Sequence, residues 1–316
     1  MEAASRLAVL DRHRDPRRCL YLASSQRSGS TWLAQIIASC PGTRLVYEPA
    51  NLHQKLFMKG EPRLVSLPHA TPGDPLGEDG AIIDRAIDGS LQSVWANQLN
   101  TERRPIRRVT KDVRTLPVLP WIADRHPDTP IVLLLRHPMA VAHSLHELGW
   151  TLNAETLLDA EFTAHHEALA LELRRQSMIQ EVTLWAEQHH FAMSNPGTQR
   201  IHVIFYEHLV RDPLGELNRL AAYLSAFHQV WATWSPDLAS IERPSATSYP
   251  DGTTERRVPQ RKWNDRIDEQ LWALVAEVLA SRGLDGLYGV GPDPLTTGDA
   301  ALGEVMRRGA LLDEGT

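Results

Sequence analysis

Cysteine is rare in this chain: Cys19 and Cys40 are the only two among 316 residues. Two thiols are too few for a disulfide framework or a zinc cluster, and both adjoin apolar runs, so we expect two reduced packing residues. An excess of positive charge is also missing, because 33 basic residues face 39 acidic ones and the formal net charge is −6. The chain therefore has no general basic field that could wrap nucleic acid.

Long hydrophobic runs are missing as well. No apolar run approaches the ~18 residues that a membrane span requires, and the densest one, Ile131–Leu135, suits a buried strand. The first 18 residues alternate in charge and contain no apolar segment of the kind that signal peptides carry. These absences predict a cytoplasmic protein without a membrane span.

No internal repeat or clear domain boundary interrupts the sequence, so we predict a single domain. With 42% hydrophobic and 23% charged residues, the composition is ordinary for a globular protein, and a chain of this length can bury a large core. We assign the domain to residues 18–290, preceded by an N-terminal extension (1–17) and followed by a C-terminal tail (291–316). The acidic, glycine-rich composition after Tyr288 predicts a mobile tail.

Short apolar runs alternate with amphipathic stretches along the chain. Continuous runs of β-branched residues and leucine between helices are typical of a parallel sheet whose two faces are covered. The pattern predicts an α/β fold, a P-loop-like parallel sheet of about five strands with helices on both faces. Strands are predicted at 19–25, 44–47, 107–113, 131–135 and 200–206, and helices at 31–40, 81–99, from Pro138, at 154–194 (as two helices), 213–224 and 265–282, with loops at 60–80 and 236–262.

The segment Gln26–Trp32 joins the first predicted strand to a helix. Glycine and small hydroxyl residues let a backbone curl around an anion, and the N–H groups at the start of a helix favour a phosphate. Arg27 adds a cationic, forked set of donors. The segment is not a Walker A motif, because it lacks Gly-Lys-[Ser/Thr] at the required spacing. An ordinary strand–turn–helix connection is the alternative interpretation.

A second element runs from Arg136 to Ser144. Arg136 follows the densest apolar run, so it is predicted at the carboxyl edge of the sheet, where ligands of α/β proteins bind. Ser144 lies roughly two turns into the next helix. A magnesium-dependent ATPase would usually carry an acidic metal ligand at such a position, so an anion bound without magnesium fits better. The histidines are not spaced as a ligand set, and no metal is expected.

RSGSTW together with R-x-P-x-A-V-A-x-S resembles the 5′-phosphosulfate loop and the 3′-phosphate site of sulfotransferases that use 3′-phosphoadenosine-5′-phosphosulfate (PAPS). The segment 206–213, YEHLVRDP, is also similar to a segment of this family. The resemblance implies that the 5′-phosphosulfate is held by Arg27, Ser28, Gly29, Ser30 and Thr31, that Trp32 stacks near the adenine, and that Arg136 and Ser144 bind the 3′-phosphate. The loop carrying Arg256 and Arg257 resembles the basic segment that closes over the nucleotide, with a solvated charged loop as the alternative.

The resemblance also bears on the catalytic base. Aryl and steroid sulfotransferases carry a Lys-Thr-His segment whose histidine is catalytic, whereas this chain has Lys111-Asp112-Val113. Tyr47-Glu48-Pro49 and Lys111–Arg114 are instead similar to the carbohydrate and tyrosylprotein branches. This implies Glu48 as general base, with Lys111 and Arg27 offsetting charge on the departing nucleotide. A structural salt bridge or a helix-capping carboxylate is the alternative role for Glu48, and His53 is a secondary candidate for the proton.

The resemblance implies an enzyme that moves a sulfuryl group from PAPS to a hydroxyl and leaves adenosine 3′,5′-bisphosphate (PAP), without a metal. The expected acceptor is a small molecule, a natural product or a carbohydrate, and no nucleic-acid partner is expected. Two other functions stay open at this point. One is a P-loop nucleotide kinase or NTPase, which needs ATP and magnesium, and the other is a non-catalytic nucleotide-binding protein of the same fold.

Overall fold

The computed structural model describes residues 9–51, 67–148, 150, 167–246, 263 and 268–313. Its centre is one parallel five-stranded sheet with the order β2-β3-β1-β4-β5. The first strand therefore lies in the middle, and the carboxyl ends of all five strands meet at one edge. This confirms the predicted α/β sheet. The strands are β1 (Cys19–Ser24), β2 (Thr43–Tyr47), β3 (Arg107–Asp112), β4 (Ile131–Leu135) and β5 (His202–Phe205).

Helices cover the sheet and complete the fold. They are α1 (Ser30–Ala38), α2 (Gly77–Asp88), α3 (Leu119–Arg125), α4 (Pro138–Glu147), α5 (Glu167–Ser194), α6 (Tyr206–Arg211), α7 (Pro213–Ser225), α8 (Glu269–Ala280) and α9 (Gly298–Asp313).

Successive side chains of each strand enter two different cores, because neighbouring residues of a strand point to opposite faces of the sheet. In β1, Cys19, Tyr21 and Ala23 belong to one buried cluster. Leu20 and Leu22 belong to another, which α1 and α7 complete. The first cluster is completed by residues of α2, α4, α5, α8 and α9. Both faces of the sheet are therefore packed, which explains why its strands are continuously apolar rather than alternating.

The helix predicted at 81–99 is wrong at both ends: α2 runs from Gly77 to Asp88. Gly89 ends it with a φ of +84°, and a Cβ there would lie 2.6 Å from the Arg108 guanidinium. The apolar periodicity continues through Leu91 and Val94, but the chain turns, and Val94 is 67% exposed. The glycine decides the boundary because the crowded left-handed turn leaves no room for a side chain.

The predicted mobile tail contains a helix. Ala301, Leu302 and Val305 of α9 are buried against the same core as β5 and α5. The acidic and glycine-rich composition concealed this apolar stripe at helical spacing. At 154–194, where two helices are predicted, the described part is the single helix α5, and residues 154–166 lie outside the described residues.

Residues 9–17, the described part of the predicted N-terminal extension, are attached to the sheet. Asp11 is buried between two arginines of neighbouring strands, and its carboxylate accepts a hydrogen bond from Arg108 Nε at 3.3 Å. Arg44 Nη1 lies 3.6 Å from the same oxygen. A buried charge needs such partners, so this ion cluster fixes the extension against β2 and β3.

Candidate functional site

The loop between β1 and α1 turns sharply at the carboxyl edge of the sheet. Arg27 has a φ of 59° and Gly29 a φ of 85°, so both adopt the left-handed conformation. The space at Gly29 is also closed, since a Cβ there would lie 2.5 Å from Tyr206 Cε2. Inside the loop, the hydroxyls of Ser25 and Ser28 hydrogen-bond at 2.6 Å. The result is a compact turn at the N-terminus of α1, where backbone N–H groups and the helix dipole favour an anion.

The predicted phosphate ligands meet beside this loop. Arg27 Nε donates to Ser144 Oγ at 3.0 Å. Arg136 Nη1 donates to the carbonyl oxygen of Arg27 at 2.6 Å, and its Cζ lies 4.8 Å from the centre of the Tyr206 ring. The turn after β1, the turn after β4 and helix α4 therefore contribute to one basic cluster, built from segments more than 100 residues apart.

Ser30, Thr31 and Trp32 form the first turn of α1, and all three are buried. The Trp32 indole N–H donates to the Ile241 carbonyl oxygen at 3.2 Å, and its ring packs edge-on against Tyr206. The contact of Trp32 with an adenine stays a prediction. Arg256, Arg257 and His53 lie outside the described residues.

Glu48 and Lys111 form a buried ion pair at the same edge of the sheet. Lys111 pairs with Tyr47, the last residue of β2, and Glu48 follows Tyr47 directly. Lys111 Nζ donates to Glu48 Oε1 at 2.5 Å. The Glu48 N–H donates to the Lys111 carbonyl oxygen at 2.7 Å, and Glu48 has a φ of 42°. Side chain and backbone together hold the carboxylate in one place.

The electrostatics of this pair keep Glu48 ionised. Burial alone would raise the pKa of its carboxyl group, but the charge and hydrogen bond of Lys111, with smaller contributions from Tyr47 and Arg114, hold the pKa below its usual value. An ionised carboxylate is the form that can accept a proton. Its basicity is reduced as long as Lys111 remains its partner.

Asp112, the residue after Lys111, holds the backbone on both sides of this ion pair. In the sequence it stands out only as a member of the Lys111–Arg114 motif. Its carboxylate is completely buried and accepts the backbone N–H groups of Ala50 at 2.8 Å and Arg114 at 2.9 Å. Burial, and secondarily the charge of Glu48, raise the pKa of Asp112 to about 6. Asp112 thus ties the segment after Glu48 to the segment after β3. The only signal in the sequence is a carboxylate placed at the end of a predicted buried strand.

A third group of residues lies where β4 and β5 end. Glu207, at the start of α6, is buried and accepts the His137 N–H at 2.9 Å and the Tyr288 hydroxyl at 3.1 Å. Burial raises the pKa of Glu207 and lowers that of His137 to about 3. The sequence singled out this segment, YEHLVRDP, without giving its residues a role.

The other histidines do not assemble a metal centre: among the described residues, no group of three or more histidine, cysteine or acidic side chains could hold an ion. His189 is buried and its Nδ1 lies 2.7 Å from the Trp185 carbonyl oxygen. His143 faces Glu147 one turn further along α4. These side chains have packing or local electrostatic contacts.

Fold and site together define an α/β protein with a basic cluster after β1 and β4 and a buried ion pair at the ends of β2 and β3. Comparison with family models gives the family: the model of the sulfotransferase family matches residues 20–227, more than half of the chain. The chain belongs to the sulfotransferase family, which confirms the predicted enzyme class. This match does not favour a kinase or NTPase. The comparison with curated protein sequences gave no match.

Solved sulfotransferase structures resemble the chain at low identity. The enzyme from Alicyclobacillus acidocaldarius is 16% identical over 85% of this chain and 94% of its own, with a TM-score of 0.44. Mouse SULT7A1 in complex with PAP is 15% identical over 89% and 88%, with a TM-score of 0.42. The sulfotransferase domain of the Synechococcus PCC 7002 olefin synthase is 20% identical over 84% and 94%, with a TM-score of 0.38.

A membrane-spanning helix is not found in the part of the chain that the structure describes, since no helix there combines sufficient length with sufficient hydropathy.

Proposed function

We propose that this protein transfers a sulfuryl group from PAPS to a hydroxyl, with Glu48 as the general base. The proposal depends above all on the buried Glu48–Lys111 pair, whose 2.5 Å contact lies at the same sheet edge as the arginine cluster. In the strand order, β3, which carries Lys111, is the direct neighbour of β1, whose loop carries Arg27. Sulfuryl transfer from a nucleotide to a hydroxyl requires a group that accepts the proton of the hydroxyl and, next to it, a site that binds the anionic nucleotide.

The residues present fit the donor. Its 5′-phosphosulfate would lie in the turn of Arg27 and Gly29, where small side chains leave the backbone N–H groups accessible. Its 3′-phosphate would be bound by Arg136 and Ser144. Arg27 already bridges the two positions through its bond to Ser144, so both phosphate-binding groups belong to one connected cluster. The neighbouring contacts fix both guanidinium groups before the donor binds, which lowers the cost of ordering them.

In the reaction, the acceptor oxygen forms a bond to sulfur while the bond from sulfur to the bridging oxygen of the phosphate breaks. Glu48 takes the proton of the acceptor hydroxyl, and Lys111 with Arg27 offsets the negative charge that grows on the departing PAP. Lys111 then interacts with two anions, the Glu48 carboxylate and the departing PAP. As it turns toward the leaving oxygen, its hold on Glu48 weakens and the pKa of that carboxyl group rises. The base therefore becomes stronger when the donor is in place.

The motifs at the base support the proposed acceptor class. Tyr47-Glu48-Pro49 and Lys111–Arg114 resemble the carbohydrate and tyrosylprotein branches, and this supports a carbohydrate, natural-product or other small-molecule hydroxyl as the acceptor. A cytoplasmic location stays a prediction.

Glu48→Gln tests the proposal. The amide keeps size and hydrogen bonding but cannot accept a proton, so kcat with PAPS and a saturating acceptor should fall by roughly 10²–10⁴ while PAPS binding stays near normal. Transfer is measured by mass spectrometry over a panel of alcohols, sugars and phenols. Glu277→Gln on the exposed side of α8 is the matched control. An acceptor with a more acidic hydroxyl should partly restore Glu48→Gln.

Near-wild-type turnover of Glu48→Gln would contradict the assignment of the base and would make His53 the next residue to test. The donor is tested separately by thermal shift: PAP alone should stabilise the protein, whereas stabilisation by ATP with magnesium but not by PAP would favour a kinase. Binding of PAP without turnover of PAPS by any acceptor would favour a non-catalytic protein.

A further inference from the structure

We infer that Glu207 is a positioning residue for the 3′-phosphate site: it fixes the backbone after Arg136 and thereby the direction of the Arg136 guanidinium. The inference rests on the proposed function, in which Arg136 binds the 3′-phosphate of the donor. It concerns a residue that never has to touch the nucleotide.

The first observation is the contact of Glu207 with the peptide group directly after Arg136. The Glu207 carboxylate accepts the His137 N–H at 2.9 Å, and the bond is buried. The next residue, Pro138, has no N–H, and Met139 N donates to His137 Nδ1 at 3.2 Å. The His137 N–H is therefore a backbone donor by which Glu207 holds the chain directly after Arg136.

The second observation is that the carboxylate is itself fixed. Its other oxygen accepts the Tyr288 hydroxyl at 3.1 Å, and Glu207 is only 3% exposed. His137 completes the arrangement, with its Nε2 3.2 Å from the Gly289 carbonyl oxygen and its ring 4.9 Å from that of Tyr288. The turn that follows Arg136 is thus held by a buried acid and by the segment around Tyr288.

The third observation is that the residue before Glu207 supports the same arginine. The Tyr206 ring lies 4.8 Å from Arg136 Cζ and closes the space over Gly29. Arg136 in turn donates to the Arg27 carbonyl oxygen. Two neighbouring residues of α6 therefore hold Arg136 at its backbone and at its guanidinium, which gives the YEHLVRDP segment a function at the donor site.

A positioning role is separated from a charge effect by two substitutions. Glu207→Gln loses the charge but keeps the reach, since its amide oxygen can accept the His137 N–H and its amide nitrogen can donate to Tyr288. Glu207→Asp keeps the charge but is shorter by one methylene and loses the contact. Calorimetry with PAP and with adenosine 5′-phosphate gives the ratio of the two affinities. Because only PAP carries the 3′-phosphate, this ratio reports the 3′-phosphate contact. A general loss of folded protein lowers both affinities and leaves the ratio unchanged.

We expect Glu207→Asp to lower that ratio about tenfold, the effect of losing a buried hydrogen bond that orients a charged group. Glu207→Gln should keep the ratio within about threefold of wild type. Arg136→Ala removes the guanidinium that contacts the 3′-phosphate, so its affinity ratio is the lowest expected in the series. A pH profile of PAP binding by Glu207→Gln should match that of wild type.

A normal affinity ratio in Glu207→Asp together with a lowered ratio in Glu207→Gln would show that the charge of Glu207 matters, and it would overturn the inference. An unchanged ratio in Glu207→Asp, with a lowered ratio in Arg136→Ala, would overturn the positioning role and leave the proposed function intact. An unchanged ratio in Arg136→Ala would overturn both, because the 3′-phosphate would then be bound elsewhere. A fall in melting temperature alone, with the ratio preserved, would reduce Glu207 to a structural residue.

Discussion

Lys111 is the residue on which both halves of the proposed reaction depend. It is 2% exposed, donates to Glu48 at 2.5 Å and lies 4.8 Å from the centre of the Tyr47 ring. A buried ammonium group needs an anionic partner, and Glu48 is that partner in the free protein. Glu48 adopts a φ of 42°, a conformation that non-glycine residues rarely adopt and that tends to occur at functional sites.

Lys111→Ala should lower kcat about 10²-fold by removing stabilisation of the leaving group. A more acidic acceptor should not restore this variant, because the loss lies at the departing oxygen. The pKa of Glu48 should rise when its partner is removed, so the acidic limb of the kcat/KM profile should move to higher pH. Steady-state kinetics between pH 4 and 9 measure both effects.

Lys111→Arg is the control, because it keeps the positive charge beside Glu48 and should leave the acidic limb near its wild-type position. An unmoved limb in Lys111→Ala would show that the pKa of the base is set by other groups.

At the level of the elements, the loop after β1 depends on α6. Gly29 and Gly73 both have positive φ, but only Gly29 meets a neighbour, the Tyr206 ring, while a Cβ at Gly73 has nothing within 4 Å. This pair separates backbone strain from steric contact.

Gly29→Ala and Gly73→Ala should each cost about 1–2 kcal/mol of stability through the left-handed backbone. Gly29→Ala should cost more, and it should also weaken PAP binding about tenfold because the displaced Tyr206 no longer supports Arg136. Urea unfolding and calorimetry measure the two effects. Equal losses of stability and unchanged PAP affinity in both variants would mean that the Tyr206 contact is dispensable.

Elements with strong local signals could be predicted from the sequence. The apolar runs that became β1 and β4 are continuous, and motifs placed directly after them put Arg27 and Arg136 at the carboxyl edge. Contacts distant in sequence could not be predicted. Glu207 reaches His137 across 70 positions and Asp112 reaches Ala50 across 62, so neither role leaves a local pattern. The end of α2 could not be predicted for the same reason, because it depends on the closeness of Gly89 to the Arg108 side chain of another element.

For the whole molecule, both outer strands of the sheet are covered. The β2 edge is bonded by the chain that follows α2, where Tyr47 N donates to Ala96 O at 2.8 Å and Leu45 N to Asn100 Oδ1 at 3.1 Å. On the other side, α9 packs against β5, with Gly298 so close to the Val203 carbonyl oxygen that a Cβ would clash. Such cover prevents an edge strand from pairing with another chain.

The stability of the whole protein should fall in acid. Burial lowers the pKa of His137 to about 3 and those of His189 and His202 to about 4. Below pH 6.5 the unfolded chain therefore takes up protons that the folded chain does not, and stability is lost as the pH falls from about 6.5 to 4. Asp112, with its pKa raised to about 6, acts in the opposite direction over part of this window.

His202→Gln should reduce the slope of unfolding free energy against pH by up to ~1.4 kcal/mol per unit, the share of one proton. Urea unfolding from pH 7 to 4 measures the slope, and His69→Gln controls for the loss of an exposed histidine. An identical slope in wild type and His202→Gln would show that His202 binds its proton equally well before and after unfolding.

The order of the strands also has a consequence for how such an enzyme can diversify. Glu48 and Lys111 follow or end β2 and β3, whereas Arg136 follows β4, on the other side of β1. In the proposed function, the acceptor hydroxyl lies beside Glu48 on the flank of β2 and β3, and the 3′-phosphate lies beside Arg136 on the flank of β4. New acceptor specificity can evolve, or be grafted, by exchanging chain on one flank while the donor flank is inherited unchanged. A library that keeps Glu48 and randomises the chain after it is the natural starting point for redirecting this protein to another alcohol.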